Sequence, residues 1–186
     1  MTIFEAIRAR RSIKEFTPLP VSREQIEQLL EAAVQAPNHR MTEPWRFYVL
    51  GPDARRAYGA VLGERKAKRV EDPAAAADVR AKVAEKHANL PAMLAVSVVV
   101  AADPEVREED LAAVYMAVEN FVLAAPSLGL GTHLKTGAVM ADPAARAAVG
   151  VQEVERIVAI IELGEPVGPT QGKPRKPASA LTRWVP

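Results

Sequence analysis

The chain has 186 residues, of which 49% are hydrophobic and 25% are charged, with a formal net charge of +1. This length and composition are typical of a single globular domain, spanning residues 1–186, with a hydrophobic core. The near-neutral net charge gives no overall field that favours nucleic acid, and the 5% aromatic content argues against a base-stacking surface, so we expect no nucleic-acid partner. Because the chain has no cysteine, any redox activity requires a cofactor.

The cellular location is predicted from the apolar segments. The first residues, from Met1 to Arg8, lack the apolar stretch of a signal peptide. The longest apolar run, from Ala92 to Ala102, is too short to span a bilayer and predicts a buried strand. We therefore expect a cytoplasmic protein that does not associate with membranes.

Helices are predicted on both sides of the first polar segment. Residues 2–5 and 22–25 have the form of capping boxes, in which a hydroxyl and a carboxylate or amide satisfy free backbone N–H groups. The first helix is predicted to end near Arg10. The second carries apolar residues with helical spacing at Ile26, Leu29, Leu30 and Ala33, and Pro37 ends it.

The middle of the chain alternates strands and helices. Strands are predicted at 47–50, 96–101 and 156–163, and Gly51-Pro52-Asp53 begins a helix. Residues 63–89 are rich in Lys, Arg, Glu and Ala, which is typical of solvated helices or of a helical lid insertion. Trp45 is expected to pack in the core.

The helix predicted at 111–125 is apolar on nearly every side. Such a helix must be buried all round, either in the core of its own subunit or against a second subunit. Asp142-Pro143 predicts the start of a further short helix, which Gly150 ends, and a Pro-rich basic tail follows at 165–186.

The sequence supports neither a glycine-rich dinucleotide-binding motif nor a metal site. Gly129-Leu130-Gly131 follows a helix and is not completed by a third glycine, so it fails the dinucleotide-binding fingerprint. These glycines are expected to cap the helix and to allow a close backbone approach. The histidines, His39, His87 and His133, are scattered without carboxylates at ligand spacing, so no metal site is expected.

Two dense polar segments follow the first two helices. Residues 10–16 read Arg-Arg-Ser-Ile-Lys-Glu-Phe, and residues 36–45 read Ala-Pro-Asn-His-Arg-Met-Thr-Glu-Pro-Trp. Guanidinium, ammonium and hydroxyl donors in one stretch suit a bound phosphate ester with a polar tail. The alternative is a solvated basic face.

Taken together, these two segments resemble the FMN-dependent nitroreductases, and most of all the small, YdjA-like bacterial branch of NAD(P)H nitroreductases. Further matches lie at 129–137 and at 160–166, so the resemblance covers nearly the whole chain. It implies an α+β sandwich in which helices wrap a central, mostly antiparallel sheet. It also implies an intertwined homodimer with two FMN sites at the interface, where the 111–125 helix would lie.

The resemblance also implies roles for individual residues. Arg10, Arg11 and Ser12 would hold the FMN phosphate and ribityl chain, whereas Arg8 is expected on another helix face. Lys14 would lie near the pyrimidine edge of the flavin, where a cation stabilises the anionic reduced form. Further contacts are expected from Asn38 and His39 of the other subunit, and from Gln35, Leu134, Lys135, Thr136 and, in the basic tail, Arg175.

The implied activity is transfer of a hydride from NADH or NADPH to the flavin, and then to a nitroaromatic, quinone or similar acceptor by a ping-pong mechanism. No catalytic residue is assigned, since the flavin carries the chemistry. The alternatives are a related flavoenzyme that performs reductive dehalogenation or flavin fragmentation, and a non-catalytic FMN-binding dimer. For the basic tail, the alternative to phosphate binding is disorder.

Overall fold

The computed structural model describes residues 1–186 and is built around one antiparallel sheet. Its strands are β1 (Trp45–Val49), β2 (Ala92–Val99), β3 (Gly131–Lys135) and β4 (Glu155–Gly164), in the order β1-β2-β4-β3. The predicted fold class, α+β with helices around a central antiparallel sheet, is confirmed. Strand β3 was not predicted, and it forms one edge of the sheet.

Six α-helices surround the sheet: α1 (Ile3–Ala9), α2 (Arg23–Ala33), α3 (Pro52–Ala67), α4 (Pro73–Ala88), α5 (Pro104–Ala124) and α6 (Pro143–Val149). Short 3₁₀ turns follow at Ala125–Leu128, Ala138–Ala141 and Ala178–Ala180. Both predicted capping boxes are confirmed, because Thr2 and Ser22 each exchange hydrogen bonds with the residue three positions later.

The sheet separates two hydrophobic clusters. The larger one joins α2 and α5 to one face, around Leu29, Phe121 and Ile161, and it includes Trp45 as predicted. The smaller one joins α3 and α6 to the other face, around Tyr58 and Ile160. Burial of one such large apolar side chain is worth about 1.5–3 kcal/mol, so the two clusters fix the helices on the sheet.

Helix α5 differs from the prediction in its start and in its burial. It begins at Pro104, after the N-cap Asp103, seven residues before the predicted start at Leu111. One side is buried in the larger cluster, whereas Tyr115 and Met116 on the other side are about 40% exposed. Of the two alternatives, burial entirely within the helix's own subunit is therefore wrong, and burial of the exposed side against a second subunit stays a prediction.

The same helix meets the length and hydropathy of a membrane span when it is taken with the following turn, over Pro104–Leu128. Core helices of water-soluble proteins meet that criterion as well. Since α5 packs against α2 and β2, its apolar residues have a place in the core of this fold.

Residues 63–89 lie in α3 and α4, which pack against each other along their length. Gly59 and Gly63 of α3 allow this, because a Cβ at either position would lie within about 3 Å of α4 atoms. Two ion pairs, Arg56–Glu85 and Arg80–Glu64, bridge the helices. A lid function of this hairpin stays a prediction.

Candidate functional site

An extended segment after α1 crosses one end of the sheet. The backbone N–H of Ile13 donates to the carbonyl of Thr132 in β3 (2.9 Å), and that of Thr17 donates to Glu165 after β4 (2.9 Å). The crossing is close, since a Cβ on Gly131 would lie 2.5 Å from the Ile13 side chain. The predicted close approach at this glycine is confirmed. It places residues 10–15 over the ends of two strands.

A cavity of about 930 Å³ opens beside this segment, between it and the returning tail. Its side chains include one carboxylate, Glu15, and six cations: Arg8, Arg10, Arg11, Lys14, Lys173 and Arg175. Residues 167–172 of the tail also line it. So strong an excess of positive charge in one concave site favours an anionic ligand.

The two adjacent arginines of this cavity differ in what they contact. Arg11 donates from Nη1 to the carbonyls of Arg8 (2.6 Å) and Arg10 (2.9 Å), and its guanidinium packs against Gly172 of the tail. Its Nε–H is buried without an acceptor. The half-buried Arg10 guanidinium makes no hydrogen bond or ion pair within the chain, so its donors are available to a ligand.

The cavity continues into an apolar branch of about 300 Å³. Val122 of α5, Pro126 and Leu130 line it, together with Gly131 and Thr132 of β3. Arg10 and Arg11 border both spaces. A ligand that combines an anionic end with an apolar body fits a basic cavity that continues into an apolar branch.

The second polar segment forms a tight loop at the other end of α5. The Asn38 Oδ1 accepts from the backbone N–H of Glu43 (2.8 Å), and the loop holds Met41 (φ 50°) and Glu43 (φ 44°) in the left-handed region. His39 Nδ1 donates to Glu109 of α5 (3.0 Å). Hydrogen bonds from His39 and from the neighbouring arginine lower the pKa of the Glu109 carboxyl below its ordinary value.

This loop is far from the cavity within one subunit. His39 contacts α5 at Glu109, and the apolar branch contacts α5 at Val122, 13 residues later. At 1.5 Å of rise per residue, the two points are about 20 Å apart along the helix axis. Asn38 and His39 therefore do not line the cavity of their own subunit.

The structure brings together only part of the predicted site. Arg10, Arg11, Ser12, Lys14 and Arg175 line the cavity. The other residues do not. Gln35 lies exposed in the turn after α2, Leu134 packs against the larger cluster, and Thr136 is exposed after β3.

Lys135 is also turned away from the cavity, and its ammonium pairs with the buried Glu162. Glu162 was missed at the sequence level, although a carboxylate inside the apolar run of β4 requires a buried partner and could have been noticed. Arg8 was expected on another face, yet it lines the cavity.

Comparisons with known sequences give one consistent result. The profile of the nitroreductase family matches residues 7–165. The Bacillus subtilis protein "Putative NAD(P)H nitroreductase YfhC" is 32% identical over 178 residues, covering 93% of this chain and 89% of the relative. The Escherichia coli K12 protein "Putative NAD(P)H nitroreductase YdjA" is 30% identical over 172 residues, or 89% of each chain.

Solved structures agree over the full length. The nitroreductase-like family protein from Bacillus cereus superposes with a TM-score of 0.84 at 28% identity, covering 100% of this chain and 96% of the other. "A putative nitroreductase in complex with FMN" from Desulfovibrio desulfuricans gives a TM-score of 0.74 at 25% identity, covering 100% and 98%.

Proposed function

The chain belongs to the nitroreductase family, and we propose that it is an FMN-dependent oxidoreductase that uses NADH or NADPH as its electron donor. The observation that carries this proposal is the basic cavity that continues into an apolar branch. A phosphate ester joined to a flat aromatic ring system needs these two surroundings in this order. Bound FMN would accept a hydride and pass on two electrons, a chemistry that the side chains of a cysteine-free protein lack.

The cavity residues would act by binding and orienting the cofactor. Arg10 would hold the phosphate through a charge-assisted fork, and the unpaired Nε–H of Arg11 offers a further donor. Ser12 would bind the ribityl chain, and Lys14 would supply positive charge at the pyrimidine edge. Arg175 would close the phosphate end from the tail side. No residue of the chain is assigned a proton-transfer role in this proposal.

We further propose that the active form is a homodimer. Ile3, Phe4 and Ile7 on α1 are all more than half exposed in the subunit, as are Leu181, Trp184 and Val185 in the tail. Exposed apolar groups of this number indicate a surface that a partner covers. Because the loop at 36–44 lies about 20 Å from its own cavity, Asn38 and His39 of the partner subunit would complete the site.

In the proposed reaction, NAD(P)H and the acceptor use the same space in turn, which gives ping-pong kinetics. The acceptor would be a nitroaromatic, a quinone or a similar small molecule. Enclosure by two subunits would keep water from the reacting atoms. The excess positive charge around the site favours the anionic, reduced state of the cofactor.

The test is FMN binding followed by reduction. Purified protein titrated with FMN should bind it and then lose the visible absorbance of the oxidised flavin when NADH or NADPH is added without oxygen. A quinone should then restore the absorbance. A protein that binds no FMN would refute the proposal, and one that binds FMN without reduction by either nucleotide would be a binding module.

A further inference from the structure

A buried carboxylate lies beneath the end of β3, on the opposite face of the sheet from the larger cluster. The side chain of Glu162 in β4 is 4% exposed. Its Oε1 accepts from the Lys135 ammonium, and its Oε2 accepts from His133 Nδ1 at 3.0 Å. His133 stands directly opposite Glu162 in the β3–β4 register. One carboxylate therefore fixes two side chains of this edge strand.

A second imidazole points at the same carboxylate without a partner. His87, near the end of α4, has a side chain that is 6% exposed. Its Nδ1 lies 2.7 Å from the carbonyl of Val83 and must carry the proton, because a carbonyl only accepts. In the neutral ring Nε2 is then a bare acceptor, buried and unpaired, at 3.7 Å from Glu162 Oε1.

Lys135 and a protonated His87 would both donate to the same oxygen of Glu162, Oε1. Lys135 already donates to Oε1, and a protonated His87 would donate to Oε1 after a small movement. Two cations at the same oxygen repel each other, so a proton on His87 weakens the hold on Lys135. With 32% of its side chain exposed, Lys135 has a route towards solvent when it is released.

The groups around His87 keep it neutral at neutral pH. Burial is the main cause that lowers the pKa of His87, and the charges of Lys135 in β3 and Lys66 in α3 lower it further. The Val83 carbonyl and Glu162 act in the opposite direction. From α3, Tyr58 stays un-ionised, since burial and Glu162 raise its pKa to about 12. His133 completes the charged or titratable groups at Glu162.

Strand β3 connects Lys135 to the cavity, so a movement of Lys135 would be transmitted along this strand. Lys135 is the last residue of the strand, and the turn at Thr136–Gly137 follows, with Gly137 at a φ of 139°. Within the sheet β3 pairs only with β4, and on its other side Thr132 meets the extended segment after α1. The first residues of the strand, Gly131 and Thr132, line the apolar branch. The ion pair thus anchors one end of a strand whose other end forms the wall of the site.

We propose that Glu162 is a positioning residue for the flavin site, and that His87 competes with Lys135 for it when His87 takes up a proton. The step is a simple protonation: one proton from solvent binds Nε2 of His87, whose N–H then donates to Oε1 of Glu162, and Lys135 loses that acceptor. Flavin affinity therefore falls in acid through this cluster. The inference rests on the proposed FMN site.

The experiment is an FMN titration from pH 8 to pH 5.5 on the full chain and two variants. His87→Asn keeps a side-chain N–H for the Val83 carbonyl but has no group that titrates in this range. Lys135→Met combined with Glu162→Gln removes both charges of the pair, which avoids an uncompensated buried charge. Since the phosphate of FMN titrates equally for every protein, the ratio of dissociation constants isolates the cluster.

At pH 8 the parent chain and His87→Asn should bind FMN alike. At pH 5.5 the parent should bind several-fold more weakly than His87→Asn, but less than about tenfold, because one competing proton changes an affinity by at most about tenfold per pH unit and burial holds the pKa of His87 below its ordinary value of 6.5. The double variant should show the same pH profile as His87→Asn. Equal pH profiles in the parent and His87→Asn would overturn the inference while leaving the FMN site intact. If His87→Asn does not fold, the double variant decides: the inference is overturned when the FMN affinity of the double variant falls with decreasing pH as steeply as that of the parent. Absence of FMN binding by the parent at pH 8 would instead refute the proposed function, and this inference with it.

Discussion

Replacement of Arg10 by alanine tests the position of the phosphate most directly. Its guanidinium borders both the basic cavity and the apolar branch and has no partner within the chain. Arg10→Ala therefore removes no intramolecular hydrogen bond, and the stability of the fold should stay nearly unchanged. A charge-assisted hydrogen bond to a ligand is worth roughly 1.5–3 kcal/mol. The loss of FMN affinity should then be about 10- to 100-fold.

The assay is FMN titration followed by fluorescence, with the denaturant midpoint measured on the same samples. Arg8 is unsuitable as a control because it lines the cavity as well. Arg69→Ala serves instead, since Arg69 is exposed in the α3–α4 connection and forms no ion pair. Equal FMN affinity in Arg10→Ala and Arg69→Ala would refute the placement of the phosphate. The six cations would then be a solvated basic face.

Three further predictions concern packing, assembly and pH. Gly131→Ala should lower the free energy of unfolding by about 1–3 kcal/mol, because the new Cβ would lie 2.5 Å from the Ile13 side chain. The control is Gly168→Ala, whose new Cβ would meet open space. Denaturant titration measures the free energy of unfolding of both variants. Phe4→Asp should shift the protein towards monomer in sedimentation runs, since this 68% exposed side chain lies on the proposed interface; an unchanged mass would exclude α1 from it. The folded-state pKa of His87 lies below its ordinary value of 6.5, so the unfolded chain binds the proton more readily and stability should fall as pH decreases below about 6.5. Urea titrations at pH 7.5 and 5.5 should show a smaller fall for His87→Asn than for the parent chain.

Local signals in the sequence predicted the elements that depend on neighbouring residues. The capping boxes at Thr2 and Ser22 and the Asp142-Pro143 helix start each act within one turn of helix, and the structure confirms them. The start of α5 carries the same Asp-Pro signal at Asp103, so its late placement was an avoidable error. Its buried and exposed sides could not be told apart, because the apolar residues surround the helix.

Strand β3 could not be predicted from its own residues, because it depends on a partner far along the chain. His133 and Lys135 make this segment too polar for an interior strand when it is taken alone, and their compensation comes from Glu162, which lies far along the chain. The pairing exists only after β4 has docked beside β3. For the same reason, sequence alone predicted that Lys135 belongs to the site but could not show that its ammonium is held on the other face of the sheet.

Backbone strain in the loop at 36–44 supports the proposed dimer. Met41 and Glu43 hold left-handed backbone conformations that cost roughly 1–3 kcal/mol each for residues other than glycine. Asn38 and the contacts of the loop with Glu109 and Asp110 of α5 keep this loop in place. The apolar branch of the cavity contacts α5 about 20 Å away along the helix axis, at Val122. A strained, firmly held loop that does not line the cavity of its own subunit is accounted for when it meets the cavity of the partner, where Asn38 and His39 would face the bound flavin.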